Sequence, residues 1–473
     1  MHRGVRGRGV RSTLTTRVSF AALVVCALLV AACDSSTSSG ATAPTTLPSS
    51  SPTSSGPTQL PEQTLTFGVV GSADEVEPYR QMAALFAPLN RDVTVKIQSW
   101  PNDAAMMAAF RDGTKVPDVV VAARRDLDWL TENQKVQPVD QLLDERGFDF
   151  GDEYPRSSLT AFASNNHLDC LPYGVSPSVI LYNKALVKFG RIRNDRPIPG
   201  QGWSLDQFAA AGRWAVAHHP GIAGAYVEPS IAGVAPFLYS GGGQLFDDTD
   251  EPTSLAFSED TNQQSLDRTV RVLGRPRMSL TSAQLREHTA VQWFRRGKLA
   301  LLEGSRGIVP ELRSQLGLEF DVMPMPSLGT SATVGGLTGL CVSQNARDAG
   351  TAADFLVYAS SPEALGVVAS GGYLQPANQT VALSDAFQQP GRLPEHASVF
   401  TFSVKSMVYP PLIGQWDELD HAVDPLIDRL LRGRPPAVPR MSRRIDRASF
   451  GVLGPTFGPS GTASPSGSGQ AGG

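Results

Sequence analysis

The sequence predicts an α/β fold in which strands are connected by crossover helices, and the folded part is large enough for two lobes. Strand-like and helix-like stretches alternate after residue 63, and some of the strand-like stretches are short and fully apolar. A strand that is covered on both faces of a parallel sheet is expected to have this apolar character. About 390 residues, 64–453, remain when the two ends are set aside, which exceeds one ordinary core.

The first elements follow the order strand, helix, strand. Residues 64–70 alternate like a strand and are followed by Gly71-Ser72. Residues 78–89 are predicted to be an amphipathic helix with Met82, Phe86 and Leu89 on one face.

The alternation continues along the chain. Residues 93–97 predict a second strand, 104–111 a helix and 119–121 a short apolar strand. Residues 179–182 predict another buried strand. This β-α-β-α-β order is typical of a sheet whose strands are joined by crossover helices.

The N-terminal region has the features of a bacterial export signal. Five arginines and no acidic residue precede an apolar run at residues 20–32. At about 1.5 Å per residue this run is shorter than the roughly 30 Å hydrocarbon core of a membrane. It ends in Val30-Ala31-Ala32-Cys33, which resembles the bacterial lipobox. We therefore expect residues 1–33 to be a lipoprotein signal and Cys33 to carry the lipid that holds the protein at the outer face of the cell membrane.

The segments that flank the folded part have a low-complexity composition. Residues 34–63 are rich in Ser, Thr and Pro, and residues 454–473 have a similar composition. Such segments bury too little apolar surface to fold. We predict a flexible tether at 34–63 and a disordered tail at 454–473.

Charge and motifs exclude several classes of function. The formal net charge is −4, which gives no electrostatic basis for nucleic-acid binding. Nucleophile-elbow, H-E-x-x-H and P-loop motifs do not occur. Neither Cys170 nor Cys341 has a Cys or His partner pair nearby, and the lone His167 before Cys170 provides too few ligands for a metal site. The sequence therefore predicts no catalytic site, metal or cofactor.

Several short patterns occur in the order in which a known family carries them. They are Val116-Pro117-Asp118-Val119-Val120, Leu171-Pro172-Tyr173 followed by Leu181-Tyr182-Asn183-Lys184, Trp203 to Phe208, Gly241 to Asp247, Phe294 to Ala300, Gly335-Gly336, Ala353 to Phe355, Ser361 to Glu363 and Gly372 to Pro376. Through them residues 64–433 resemble the extracellular solute-binding proteins of ABC importers, in the family that contains maltose-binding protein.

The resemblance implies a two-lobed, periplasmic-binding-protein-like fold with hinge strands that cross between the lobes. Lobe 1 would comprise residues 64–174 and 337–385, and lobe 2 would comprise residues 175–336 and 386–453. The ligand would bind in the cleft between them. The resemblance also places Cys170 and Cys341 close together in the crossing strands, where an exported protein is expected to form a disulfide.

The resemblance further implies a set of ligand-binding residues. These are Arg125, Asp126, Ser176, Glu228, Ser230, Tyr239, Arg306, Gly336, Tyr373 and Trp416. Trp416 takes the place of a ring that stacks on a sugar, although a core position is the alternative. Tyr239 is equally suited to stacking on the ligand or packing in the lobe.

Arg306 departs from the family pattern because it replaces a stacking aromatic residue. Two roles remain open for its guanidinium. It binds an anionic group on a modified sugar, or it pairs with a nearby acid such as Glu303 or Asp126.

The functional prediction is a substrate-binding lipoprotein of an ABC importer. It would act as a monomer that captures a carbohydrate and delivers it to permease subunits in the membrane. A surface binding or sensor lipoprotein without transport is the alternative, and an extracytoplasmic glycan hydrolase is a third possibility.

Overall fold

The computed structural model describes residues 63–90, 92–192, 196–432 and 438–455. The signal segment with Cys33, the tether up to residue 62 and the tail from residue 456 lie outside these ranges. Within them, no helix is both long enough and apolar enough to cross a membrane.

The strands of the described residues lie in two main sheets and one small hairpin. In chain order they are β1 (Gln63–Val70), β2 (Val93–Trp100), β3 (Val119–Ala123), β4 (Val136–Gln137), β5 (Ala163–Ser164), β6 (His167–Leu168), β7 (Cys170–Pro177), β8 (Val179–Asn183), β9 (Ala223–Tyr226), β10 (Leu299–Gly304), β11 (Phe320–Pro324) and β12 (Gly335–Ser343).

The helices cover the faces of these sheets. In chain order they are α1 (Ala73–Phe86), α2 (Asp103–Arg111), α3 (Leu127–Glu132), α4 (Asp140–Asp144), α5 (Arg156–Ala161), α6 (Leu205–His218), α7 (Ile231–Ser240), α8 (Asp260–Leu273), α9 (Ser282–Glu287), α10 (Ala290–Arg295), α11 (Val309–Arg313), α12 (Ala349–Ser360), α13 (Pro362–Ser370), α14 (Gln379–Leu383), α15 (Asp385–Gln388), α16 (Ser398–Ser403), α17 (Trp416–Arg432) and α18 (Val438–Leu453).

Each main sheet forms the centre of one lobe. Lobe 1 contains the sheet β2-β1-β3-β12-β4, in which β7 also pairs with β12. Its strand β1 runs parallel to β2 and β3. Lobe 2 contains the sheet β11-β8-β10-β9, and helices α17 and α18 return to it and pack on α8. The predicted two-lobed α/β fold is confirmed.

Three chain segments cross between the lobes side by side. Strand β7 ends at Pro177 and β8 begins at Val179, so the first crossing is at Ser178. The Ser178 amide donates to the carbonyl oxygen of Val334 at 2.8 Å, and the Val408 amide donates to that of Thr333 at 2.8 Å. These hydrogen bonds place the crossings at about residues 178, 334 and 407.

Close backbone contact at these crossings requires a glycine. A Cβ atom on Gly335 would lie 2.0 Å from the carbonyl oxygen of Ser176 in β7. Real Cβ atoms do not approach that closely, so a side chain at position 335 would push β7 and β12 apart.

A disulfide joins the same two strands. Cys170 and Cys341 face each other in the register of β7 and β12, and their sulfur atoms are 2.01 Å apart. This is the pairing that the resemblance implied.

The first helix starts earlier than the sequence pattern predicted. The Ser72 hydroxyl accepts from the amide of Glu75, and the Glu75 carboxylate accepts from the amide of Ser72, which forms a capping box. Helix α1 therefore begins at Ala73 and includes Pro78. Because the helix ends at Phe86, Leu89 lies beyond it and is 70% exposed instead of buried.

One cluster of buried apolar residues has members from both lobes. Phe67 and Leu340 of lobe 1 belong to the same buried cluster as Leu181 and Phe320 of lobe 2. A second cluster fills lobe 2 beneath α7, α8 and α17. A third lies on the other face of the lobe 1 sheet and contains the disulfide.

Candidate functional site

A cavity of about 660 Å³ lies between the two lobes. Its lining includes Arg125, Ser176 and Gly336 from lobe 1 and Glu228, Ser230 and Trp416 from lobe 2. A second cavity of about 570 Å³ is lined by lobe 2 residues alone, with charged side chains such as Lys184 and Arg191 beside Phe189. The first cavity therefore has the position and the mixed polar and aromatic lining of a ligand cleft.

Trp416 is the first residue of α17, and it lines the cleft. Its indole packs edge-on against Phe246 with ring centroids 5.8 Å apart. The guanidinium carbon of Arg125 lies 5.9 Å from the Trp416 ring centroid. The ring is thus fixed from behind by lobe 2 and contacted by a cation of lobe 1.

Arg125 connects the lobes across the cleft opening. It follows β3 in lobe 1, and its Nη2 atom lies 3.0 Å from an oxygen of Asp417 and 2.9 Å from an oxygen of Asp420 in α17. Arg111 adds a longer contact of 3.5 Å to Asp417. These ion pairs are formed only when α17 lies close to lobe 1.

Arg124 connects lobe 1 to the chain segment that precedes α17. Its Nε atom donates to the Ala161 carbonyl oxygen at 2.7 Å, and Nη1 donates to the Pro410 carbonyl oxygen at 2.6 Å. The second bond fixes the segment that precedes α17. Burial lowers the pKa of Arg124 to about 10, so the side chain still carries a positive charge at neutral pH.

Two carboxyl groups of lobe 2 line the cleft and accept backbone hydrogen bonds. Asp424 accepts from the amide of Ile231 at 3.1 Å, and Glu303 accepts from the amide of Glu228 at 2.8 Å. Desolvation raises the pKa of Asp424 to about 6, with repulsion from Asp420 adding to the rise. Desolvation likewise raises the pKa of Glu303 to about 8, against the effect of the amide donor.

A second pair of carboxyl groups lies on the lobe 1 side. Asp103 lines the cleft, and Asp126 is buried next to it with 7% exposure. Desolvation and the charge of Asp103 raise the pKa of Asp126 to about 7. Among the described residues, one oxygen of each carboxyl group has no hydrogen-bond partner.

The start of helix α7 contributes main-chain groups to the cleft. Ser230 caps this helix by accepting from the amide of Gly233 at 3.2 Å, and both residues line the cavity. A Cβ atom on Gly233 would lie 2.0 Å from the carbonyl oxygen of Glu228. Glycine is needed there because the preceding loop packs directly on the first turn of the helix.

The structure brings six of the ten predicted ligand-binding residues together at the cleft. They are Arg125, Ser176, Glu228, Ser230, Gly336 and Trp416. Asp126 lies just behind this lining. Tyr239, Arg306 and Tyr373 are not among the cleft residues.

Tyr239 packs in its lobe. Its ring lies against the apolar core of lobe 2, and burial raises its pKa to about 12. Of the two roles predicted for Tyr239, the described structure has packing in the lobe and not stacking in the cleft. Tyr373 is half-buried outside the cleft, where desolvation raises its pKa and the charges of acids in α1 and α11 add to the rise.

Arg306 is fully buried and has neither of the two roles predicted for it. Its guanidinium carbon lies 4.9 Å from the ring centroid of Phe387 and 5.7 Å from that of Phe400. Its Nη2 atom donates to the Phe387 carbonyl oxygen at 3.2 Å and to Gln389 at 3.4 Å. The side chain packs against α15 and α16 outside the cleft lining and pairs with neither Glu303 nor Asp126.

Sequence reasoning missed several cleft residues, among them Asp103, Arg124, Glu303, Tyr409, Asp420 and Asp424. A signal for two of them was present. Trp416, Asp420 and Asp424 recur every four residues, which places them on one face of a helix. Leu419 and Val423 occupy the buried face of the same helix.

One further cluster has metal-ligating residue types. Asp321, Glu395 and His396 lie close together. Asp321 already accepts from the His396 amide at 3.0 Å and faces its Nδ1 atom at 2.6 Å, while Glu395 binds the Lys184 ammonium group at 2.7 Å. These contacts hold the segment between α15 and α16 against β11 and account for the cluster.

Comparison with known proteins gives one family match. A family model described as bacterial extracellular solute-binding protein matches residues 81–395. No curated protein sequence matches the chain.

Solved structures give the same fold. An ABC substrate-binding protein from Listeria monocytogenes in complex with cycloalternan has a TM-score of 0.70 at 16% identity, over 82% of this chain and 98% of that one. The GacH receptor of Streptomyces glaucescens, solved unliganded and with acarbose, has a TM-score of 0.69 at 17% identity, over 83% and 98%. A solute-binding protein from Thermotoga lettingae bound to α-D-tagatose has a TM-score of 0.67 at 18% identity, over 83% and 100%.

Proposed function

The chain belongs to the bacterial extracellular solute-binding protein family, and from this we propose that it is the substrate-binding lipoprotein of an ABC importer for a carbohydrate. The observation that carries the proposal is the cleft. Polar side chains of both lobes and the Trp416 ring converge on one cavity between two sheets that are joined by three crossings.

A cleft of this kind couples binding to a change of shape. A solute that contacts Ser176 and Gly336 on one lobe and Trp416 on the other makes all of these contacts only when the lobes are close together. Binding free energy therefore favours the closed arrangement over an open one. A permease that recognises the closed arrangement would receive loaded protein and not empty protein.

The lining favours a carbohydrate as the solute. An indole ring offers an apolar face for a pyranose, and carboxylates and main-chain amides bind its hydroxyl groups. The similar structures carry cycloalternan, acarbose and tagatose, which supports the same class of ligand here.

Ligand binding to purified protein tests this proposal. A thermal-shift screen of mono-, di- and oligosaccharides should raise the melting temperature with at least one sugar, because a ligand of the folded state stabilises it. Trp416→Ala should weaken the binding of that sugar at least 10-fold in calorimetric titration. Phe402→Ala removes an aromatic ring that is 57% exposed in α16 and should leave the affinity unchanged. A folded protein that responds to no sugar would contradict the proposal.

Delivery to a permease is tested in the source bacterium. Deletion of the gene should abolish uptake of the sugar identified in vitro, and restoring the wild-type gene should recover it. Sugar binding without any loss of uptake would instead favour a surface sensor.

Anchoring through Cys33 is part of the proposal. Cys33→Ser removes the thiol that would carry the lipid, so the variant should leave the membrane fraction and appear in the soluble extracytoplasmic fraction. Cys26→Ser, which alters the apolar run alone, should remain in the membrane. Retention of the Cys33→Ser variant in the membrane would contradict lipid attachment at this position.

A further inference from the structure

The ionisable side chains that line the cleft are mostly acidic. Five acidic residues line it, Asp103, Glu228, Glu303, Asp420 and Asp424. Two guanidinium groups, of Arg124 and Arg125, accompany them, and the lining within the described residues contains no lysine. Acidic groups therefore outnumber basic ones before any ligand enters.

The two guanidinium groups are already engaged. Arg124 donates to the carbonyl oxygens of Ala161 and Pro410. Arg125 pairs with Asp420 and with Asp417 at the cleft opening. Neither side chain forms an ion pair with the acids deeper in lobe 2.

Three carboxyl groups of lobe 2 form no ion pair among the described residues, and the charge of Arg125 acts on Asp424 only from a longer distance. Asp424 and Glu303 receive a main-chain amide each, and no ion pair of Glu228 is formed. The three lie near one another, because Glu303 accepts from the amide of Glu228 itself and Asp424 accepts from the amide of Ile231, three residues farther along the chain. The charge of Glu228 accordingly contributes to raising the pKa of both Asp424 and Glu303, after desolvation. Like charges held together in a partly desolvated site destabilise their ionised forms.

A positive charge in the cleft would relieve this repulsion. An ammonium group supplies that charge and up to three N–H donors to carboxylate oxygens, and charge-assisted hydrogen bonds of this kind are stronger than those from neutral hydroxyl groups. The neighbouring Trp416 ring suits the same ligand, since an aromatic face attracts cations as well as the apolar face of a sugar.

We propose that the ligand of this cleft is an amine-bearing sugar whose ammonium group is held by Asp424, Glu303 and Glu228, while its ring packs on Trp416. The inference rests on the proposed function, because it names the class of sugar that the same cleft binds. Carboxylates also accept hydrogen bonds from neutral sugars, and that alternative predicts no preference for an amine.

Matched sugars separate the two alternatives. Glucosamine, galactosamine, mannosamine and the β-1,4 disaccharide of glucosamine are titrated calorimetrically into the protein at pH 6.5, where an amine is mostly protonated. Each is compared with its hydroxyl parent and its N-acetyl derivative. At least one amine should bind 10-fold or more tightly than both of its counterparts, and this preference should shrink as salt is added.

Isosteric variants assign the preference to the proposed residues. Asp424→Asn and Glu303→Gln keep an oxygen that can accept from the Ile231 and Glu228 amides. They remove the negative charge that each carboxyl group takes on when an ammonium group is bound beside it. Each variant should lower the affinity for the amine sugar at least 10-fold and should change the affinity for its hydroxyl parent less than 3-fold. Glu287→Gln, an exposed change in α9 of the same lobe, should alter neither.

The outcomes distinguish this inference from the function on which it rests. If neutral sugars bind as tightly as the amines, the amine-bearing ligand is overturned while sugar binding stands. If an amine is preferred but the two variants bind it normally, the assignment to Asp424 and Glu303 is overturned. If no sugar of either kind binds, the inference and the proposed function both fail.

Discussion

Arg306 is a large, charged side chain with no solvent exposure. Two aromatic rings face its guanidinium group, and burial lowers its pKa to about 9. When the pKa of a base is lower in the folded protein than in the unfolded chain, the charged form of that base destabilises the folded protein. The cost is therefore fully present at neutral pH, and it is relieved as pH rises above about 9.

We expect packing to account for most of the contribution of Arg306 to stability. Arg306→Ala leaves a cavity and should lower the free energy of unfolding by about 2–4 kcal/mol. Arg306→Met fills the space without a charge and should cost less than about 1.5 kcal/mol. Urea unfolding at pH 7 measures both, and an equally large loss in the Met variant would assign the effect to the hydrogen bonds of the guanidinium group.

Asp126 makes stability depend on pH. Its pKa in the folded protein is about 7, mainly because of desolvation, whereas an unperturbed Asp has a pKa of about 3.9. The folded protein thus binds the proton more tightly than the unfolded chain, and stability falls as pH rises from about 4 to 7.

Asp126→Asn stays neutral at every pH. It should raise the free energy of unfolding by about 1–3 kcal/mol at pH 8 and change it little at pH 4. Glu132→Gln, an exposed change in α3, should stay within about 0.5 kcal/mol at both pH values. A stabilisation of Asp126→Asn that is equal at pH 4 and pH 8 would contradict the titration.

Helix α6 shows how a local sequence signal determines the start of an element. The Ser204 hydroxyl accepts from the Gln207 amide at 3.2 Å, and the Gln207 side chain accepts from the Ser204 amide at 2.7 Å. Ser204→Ala should therefore cost about 1 kcal/mol. Thermal unfolding measures this loss. Ser282→Ala in the first turn of α9 is the control, because its hydroxyl only follows the capping residue Thr281, and it should change the melting temperature little.

Elements with strong local signals were predictable. The sequence predicts the strand at 119–121 correctly, because burial on both faces leaves a direct trace in the sequence. The apolar pattern predicts that α1 begins at Pro78. The capping hydrogen bonds between Ser72 and Glu75 instead start the helix five residues earlier, at Ala73. Helix α17 combines a buried apolar face with a polar cleft face, and only its first residue was recognised as functional.

Side chains without a local signal were placed less well. The family pattern places a stacking aromatic residue at position 306, so the resemblance makes Arg306 a candidate ligand residue. The turn after Ser305 instead directs its side chain toward Phe387, more than 80 residues away in sequence. Contacts of this range depend on how the whole chain folds, and no short pattern reports them.

The relative position of the lobes is stabilised by ion pairs at the cleft opening. Arg125 of lobe 1 contacts Asp417 and Asp420 of lobe 2, and its side chain is 41% exposed. Exposed pairs of this kind each contribute roughly 0–1 kcal/mol and weaken in salt. They are therefore strong enough to bias opening and closing without preventing it.

Removal of Arg125 should favour the open arrangement. Small-angle scattering of ligand-free Arg125→Gln should give a larger radius of gyration than wild-type, and high salt should bring wild-type toward the same value. Arg268→Gln removes a contact to Asp206 within lobe 2 and should leave the radius unchanged. Identical scattering from wild-type and Arg125→Gln at every salt concentration would show that these pairs do not hold the lobes together.

The bond between Cys170 and Cys341 spans 171 residues of sequence. All four strands of the lobe 2 sheet and helices α6 to α11 lie in the stretch between the two cysteines. The disulfide joins the two ends of this stretch, so the stretch forms a closed covalent ring. A protease that cuts an exposed turn within it, such as the one at residues 247–254, opens the ring but releases no fragment. For a protein that works outside the cytoplasm, a single cleavage there leaves both products in one molecule until the bond is reduced.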